Sequence, residues 1–492
     1  MIRYQSTRNS NEFKTSAGAV IQGIADGKGL FVPEIIPELP FKPSDMMGAS
    51  YKEVANLIIG AFFGDYTKEE IKYCVDGAYT DKFETAEVVP VKRIGNVNIL
   101  ELYHGRTAAF KDMALSILPY LLTTAVKKEN EDKKICILTA TSGDTGKAAL
   151  EGFADVPGTE IIVFFPSDGV SAVQKKQMVS QKGDNVHVFA IRGNFDDAQT
   201  GVKKIFEDEE IAEKMDKAAC KLSSANSINI GRLVPQIVYY VYGYIKMIEN
   251  GAIKDGDKIN IEVPTGNFGN ILAAYYAHLM GIPVNKFICA SNKNNVLTDF
   301  IRTGIYDRNR EFYMTNSPSM DILISSNLER LLYHLSGGNS DEIAEYMKSL
   351  DETGKYKVSE KIMTGLEKFY GGFCDTHDTE KAIKNVWEKS NYLVDTHTAV
   401  ACKVYEDYLM ETGDDTPVLI ASTASAYKFA GSVIHALGQS ESDEFEAVTK
   451  LEKLTGVKIP DCLANLKDAK SIHNDVIDVT NMSETVLNAV IK

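Results

Sequence analysis

Short, wholly apolar runs alternate with glycine-rich turns and helix-forming stretches through the middle of the chain. Ile135-Cys136-Ile137-Leu138 predicts a buried strand. It breaks at Thr139-Ala140-Thr141-Ser142-Gly143-Asp144-Thr145-Gly146, and a helical pattern follows over 147–153. Ile161-Ile162-Val163-Phe164-Phe165 ends at Pro166-Ser167-Asp168-Gly169, and Val186-His187-Val188-Phe189-Ala190 repeats the theme. A second block opens at 258–263, turns through Pro264-Thr265-Gly266-Asn267-Phe268-Gly269-Asn270 and enters an apolar helix at Ile271. Strands without polar alternation, spaced by helices, predict parallel sheets covered on both faces, hence an α/β fold. The first ~90 residues differ, because Pro33, Pro37, Pro40 and Pro43 break the chain before a helical run near 51–63. The expected organisation is a cap domain over 1–92, a smaller α/β domain over 93–250 and a larger one over 251–492. A charged, solvent-facing helical insertion is expected at about 340–390. No internal repeat suggests a solenoid.

Composition narrows the class without naming a chemistry. A chain of 492 residues corresponds to roughly three domains at ~150 residues each. Hydrophobic content of 44% with 25% charged residues is ordinary for a folded protein. The net charge of −15 argues against nucleic acid or an anionic membrane as partner. No apolar run approaches the ~18 residues of a membrane span, and Met1-Ile2-Arg3-Tyr4-Gln5 lacks the apolar core of a signal peptide. Seven scattered cysteines without a C-x-x-C fit a reducing compartment and no metal site. A cytoplasmic protein is the expectation.

Candidate chemistry begins at Lys111 in His104-Gly105-Arg106-Thr107-Ala108-Ala109-Phe110-Lys111-Asp112. A lysine amine condenses with an aldehyde, and pyridoxal phosphate carries both an aldehyde and a phosphate. Two downstream loops have the layout of anion sites, with glycines and amides at a strand-to-helix turn. One is Gly266, Asn267, Phe268, Gly269 and Asn270; the other is Ser142, Gly143, Asp144 and Thr145. A third segment, Asn226-Ser227-Ile228-Asn229-Ile230-Gly231-Arg232, offers amides, a hydroxyl and a guanidinium suited to phosphate. Each has a plainer alternative: a solvated lysine, an ordinary β-to-α turn, a helix cap with a surface arginine. A nucleotide loop of the G-x-x-x-x-G-K-[ST] kind fails, since Thr141 and Ala148 occupy required positions, and G-x-G-x-x-G is absent from both turns.

Taken together, these ordered motifs resemble those of the threonine synthase family, pyridoxal-phosphate enzymes of the tryptophan-synthase-β-like fold. The resemblance also covers Tyr4, Ser6-Thr7-Arg8 and Gly29-Leu30-Phe31-Val32-Pro33-Glu34 near the start, typical of the longer branch, and runs beyond Thr423. It implies two parallel-sheet domains with the cofactor between them and a cap. Lys111 would form the Schiff base, flanked by Phe110, and 266–270 would hold the cofactor phosphate. Asp144 would face the cofactor's phenolic oxygen, with Ser142, Gly143 and Thr145 toward the substrate carboxylate. Asn226, Ser227 and Arg232 would bind the substrate phosphate, and Thr423 would meet the pyridine nitrogen. Two departures stand out: Arg106 replaces a usual proline, and Ser425-Ala426-Tyr427 replaces His-Pro-Ala before Lys428 and Phe429.

The implied reaction converts O-phospho-L-homoserine and water into L-threonine and phosphate, in a monomer or homodimer. Rival readings are a sister lyase releasing 2-ketobutyrate, a serine or threonine dehydratase that needs no second phosphate site, and a non-catalytic phosphate-ligand-binding homologue.

Overall fold

The computed structural model describes residues 2–129, 133–141, 143–168 and 170–491. Two sheets carry the fold, as expected of an α/β protein. The larger has the spatial order Phe369–Phe373, Val284–Ser291, Ile259–Pro264, Val418–Ser422, Val97–Glu101, Val91–Ile94. Its strands are parallel except the last, which folds back antiparallel on its neighbour. The smaller sheet is all parallel, in the order Val476–Asp478, Val186–Arg192, Thr159–Pro166, Lys134–Ala140, Cys220–Ser223. Its central strands are buried almost throughout, which is why they read as continuous apolar runs.

The sheets do not follow the expected domain boundaries. Val91–Ile94 crosses the expected 92/93 boundary and Val97–Glu101 lies within the expected smaller domain, yet both belong to the larger sheet. Val476–Asp478, near the far end of the chain, pairs with Val186–Arg192 of the smaller one. Neither exchange is encoded in local patterning, because a strand's own alternation does not specify its partner. The segment near 340–390 is also more than a helical insertion. It contains the helices Ser340–Thr353 and Thr376–Ser390, but Phe369–Phe373 between them is an edge strand of the larger sheet. Gly371 and Gly372 sit there because Thr298 and Val404 pack where their side chains would be.

The N-terminal region folds as a three-stranded sheet with the helices Tyr51–Phe62 and Lys68–Ala78. Both helices open with capping boxes, Ser50 with Glu53 and Thr67 with Glu70. Tyr51–Phe62 packs on Ile230–Glu249, which is apolar around most of its circumference and correspondingly buried. Ile230–Glu249 packs in turn on Gly269–Met280, so one helix joins cap and larger sheet. No helix among the described residues is long and apolar enough to cross a membrane.

Candidate active site

The lysine segment is laid against the carboxyl end of Val418–Ser422. Leu102 N donates to Ser422 O at 3.0 Å, Phe110 N to Thr423 O at 2.8 Å and Ser425 N to Ala108 O at 3.0 Å. Carboxyl ends of parallel strands are where open α/β sheets place ligands. The turn before the lysine closes on Asp112, whose carboxylate accepts from Thr107 N at 2.8 Å and Thr107 Oγ1 at 2.6 Å. Gly105 is obligatory, since a Cβ there would lie 2.4 Å from Asp112 Oδ2. Burial pushes the Asp112 carboxyl up to about 6, against the opposing pull of the Thr107 hydrogen bonds and Lys428.

Lys111 Nζ lies 3.4 Å from Asp144 Oδ2 and 5.1 Å from the centroid of the Phe110 ring. Asp144 opens the helix Asp144–Phe153, so the ends of the two sheets meet at this pair. The same carboxylate receives Lys428 Nζ at 2.7 Å and Gln174 Nε2 at 2.8 Å on Oδ1, and Ser319 Oγ at 3.2 Å on Oδ2. Burial by itself would raise the Asp144 carboxyl; Lys428 and Lys111 outweigh it and hold the group far below the usual carboxylate range. Burial lowers the Lys111 amine, Asp144 opposes, and the positive charges of Lys428 and Arg232 add to the lowering.

The turn carrying Asp144 is tied by Thr141, whose Oγ1 accepts from Gly143 N at 3.0 Å and Gly146 N at 2.9 Å. Gly143 has φ +153°, and a Cβ there would lie 2.5 Å from Gln174 Oε1. Thr145 is half-buried on the first turn of the helix. Ser142 lies outside the described residues.

The second loop leaves Ile259–Pro264 and enters Gly269–Met280 through Phe268, held at φ 62°. Gly266 leaves room for Ser319 O, 2.8 Å from where a Cβ would stand. Ser319 therefore touches both this loop and the Lys111–Asp144 pair. Asn267 O accepts from Asn327 N at 3.1 Å and Asn327 Nδ2 at 3.0 Å, and Asn327 Nδ2 also reaches Ser227 Oγ at 3.1 Å. Arg330 bonds to Asn327 Oδ1 and to Ile228 O, and its Nε donates to Phe31 O of the cap at 2.9 Å. Asn270 Oδ1 accepts from Tyr239 and Tyr240 hydroxyls at 2.7 and 2.5 Å, while its buried Nδ2 has no partner. A spare buried donor at a glycine-lined helix start fits a phosphate group.

Arg232 sits in the first turn of Ile230–Glu249, where Asn229 caps the helix by accepting from Gly231 N at 2.8 Å. It is not a surface arginine: only 5% is exposed, Nη1 donates to Ala225 O at 2.8 Å, and burial lowers the guanidinium to about 10. Ser227 is half-buried and Asn226 is exposed. Thr423 is buried at the end of its strand. Arg106, the departure before the lysine, turns away to Glu151 at 3.2 Å with its side chain 48% exposed.

Sequence reasoning did not single out Gln174, Ser319, Asn327, Arg330 or His397, and took Lys428 only as part of a motif. His397 Nε2 accepts from Ser319 N at 3.1 Å, and its Nδ1 pairs with Asp395 Oδ2 at 2.7 Å. The available signal was density of small polar residues, in Ser317-Pro318-Ser319-Met320-Asp321 and Asp395-Thr396-His397-Thr398, within an otherwise apolar block.

Models of three protein families match the chain. They describe the threonine synthase N terminus over residues 3–79, a pyridoxal-phosphate dependent enzyme over 88–424 and the threonine synthase C-terminal region over 398–486. Threonine synthase-like 1 of Homo sapiens is 39% identical over 439 residues, which cover 87% of this chain; the chain spans 58% of that protein's length. Threonine synthase of Saccharomyces cerevisiae is 35% identical over 489 residues, covering 92% of this chain and 93% of the relative. The crystal structure of a pyridoxal-phosphate-bound threonine synthase from Brucella melitensis superposes with a TM-score of 0.89 at 32% identity, covering 100% of both chains.

Proposed function

Because this chain belongs to the threonine synthase family, we propose that it converts O-phospho-L-homoserine and water into L-threonine and inorganic phosphate with pyridoxal phosphate. The observation that carries the substrate reading is Arg232. It is a buried guanidinium at a helix start, separate from the 266–270 loop and close enough to Lys111 for its charge to act on the amine. A dehydratase of unphosphorylated substrates has no need of that second cation.

The residues present suit the cofactor. Its phosphate would rest on the amides of Gly266 to Asn270 with the spare Asn270 Nδ2, and its pyridine nitrogen would meet the neutral Thr423 hydroxyl, beside the Phe110 ring. Bound there, it supplies an aldehyde for the Lys111 amine and a ring that delocalises negative charge from the substrate carbons. Lys111, its amine lowered by burial, takes protons from Cα and Cβ; after phosphate has left, one proton is returned to Cγ, which becomes the methyl carbon, and one to Cα. Arg232, with Asn226 and Ser227, holds the substrate phosphate as it leaves Cγ and keeps it oriented while water adds at Cβ. Gly143 and Thr145, with Ser142, offer amides and hydroxyls to the substrate carboxylate. Asp144 orients the lysine amine from 3.4 Å.

The acidic balance of the chain argues against a nucleic-acid or anionic-membrane partner; the rest of the reading is a small-molecule substrate handled by a cytoplasmic monomer or homodimer. The test is product analysis: purified protein given pyridoxal phosphate and O-phospho-L-homoserine should release threonine and phosphate in equal amounts. Accumulation of 2-ketobutyrate instead would assign the sister lyase, and no turnover would assign a binding homologue.

A further inference from the structure

The Lys428 side chain is fully buried and takes no part in the reaction just described. Its Nζ has two acceptors, Asp144 Oδ1 at 2.7 Å and Thr107 O at 2.9 Å. Asp144 thus serves two lysines unequally: Lys428 at the short distance of a charge-assisted bond, Lys111 at 3.4 Å on the other oxygen. Gln174 and Ser319 occupy one further position on each oxygen. The charged groups acting on the Lys111 amine are Asp144 from the helix Asp144–Phe153, Lys428 from the turn Ala426–Phe429 and Arg232 from Ile230–Glu249. Asp112 follows in sequence and is tied to Thr107, the same residue that accepts from Lys428. His397 and Asp395 stand one residue further back, behind Ser319.

Two charges at such distances in a dry site interact strongly. If Asp144 faced Lys111 alone, the carboxylate would hold the lysine as an ammonium, which has no lone pair with which to attack an aldehyde or accept a proton. We propose that Lys428 is a positioning residue that occupies the Asp144 carboxylate and so leaves the Lys111 amine free for the cofactor aldehyde and for proton transfer. This rests on the reading of Lys111 given above. The arrangement also accounts for burying two lysines beside one carboxylate, an otherwise costly choice.

The test uses cofactor-free protein and reads capture rather than turnover. Pyridoxal phosphate is added across the neutral and alkaline range, the adduct is trapped with borohydride, and its amount on Lys111 is measured by peptide mass spectrometry. Lys428→Met should move the midpoint of capture upward by about one pH unit or more, the shift an opposite charge at close range produces. Measured against Asp144→Asn alone, adding Lys428→Met should shift the midpoint upward by much less than Lys428→Met does in the wild-type background, since only the direct repulsion between the two lysines is then lost. An unchanged midpoint in folded Lys428→Met, or an equally large shift in the Asp144→Asn background, overturns the proposal. Should Lys428→Met not fold, Lys428→Gln keeps a donor for Thr107 O and carries the same expectation. Wild-type protein gives a control independent of either variant: the adduct belongs on Lys111, and one found on Lys428 overturns the proposal. No adduct on any lysine would overturn both this inference and the proposed function, whereas normal capture with no effect of Lys428 overturns this inference alone.

Discussion

The Ser319 hydroxyl donates to Asp144 Oδ2 at 3.2 Å, a bond between residues 175 positions apart. Ser319 is also held by His397 through its main-chain N–H, and its carbonyl fills the space that Gly266 leaves. One residue thereby sets the spacing between the lysine pair and the glycine loop.

Ser319→Ala removes the hydroxyl bond but leaves Asp144 its contacts with Lys428, Lys111 and Gln174. A hydrogen bond to a charged group contributes about 1.5–3 kcal/mol. We expect the melting temperature to fall with the loss of this bond, and kcat/KM to fall roughly 10-fold to 100-fold as Asp144 loses its fixed position beside Lys111. Steady-state kinetics and a melting curve on the same sample check this.

Arg232→Ala separates substrate binding from cofactor binding. Loss of a buried charged contact to a phosphate costs on the order of 2–5 kcal/mol, so kcat/KM for O-phospho-L-homoserine should drop at least ~30-fold. Visible absorbance of the lysine-bound cofactor should persist if, as proposed, the cofactor phosphate is held by 266–270 and not by Arg232. Loss of that absorbance would place Arg232 at the wrong phosphate.

Asp112 gives the protein a pH signature. Its carboxyl stands at about 6 in the folded protein against an ordinary 3.8, so between those values the folded state binds more protons than the unfolded one. Stability from this group is therefore greatest below about 4 and is lost as pH rises to about 6, a change on the order of 3 kcal/mol. Asp112→Asn should remove that decline. Urea unfolding of wild type and variant at intervals across this range measures the difference, and parallel curves would contradict it.

Much of the site was legible because its motifs are contiguous: a strand end, a turn and a helix start lie within a few residues at Thr141 to Gly146 and at Pro264 to Asn270. Lys428, Gln174 and Ser319 were not, because each meets Asp144 across a gap in sequence that no periodicity reports. The same reason hid the exchange of Val97–Glu101 and Val476–Asp478 between sheets. Their alternation shows which face is buried, while pairing depends on where the chain returns. Arg106 drew notice as a departure in the motif, yet its surface pairing with Glu151 needed coordinates.

The proposed chemistry depends on the Lys111 amine as the covalent attachment point of the cofactor. Borohydride reduction of the pyridoxal-phosphate-loaded protein, followed by peptide mass spectrometry, tests it most directly. One pyridoxyl group is expected, on Lys111, and none in Lys111→Ala. A pyridoxyl group on another lysine, or its persistence in Lys111→Ala, would contradict it.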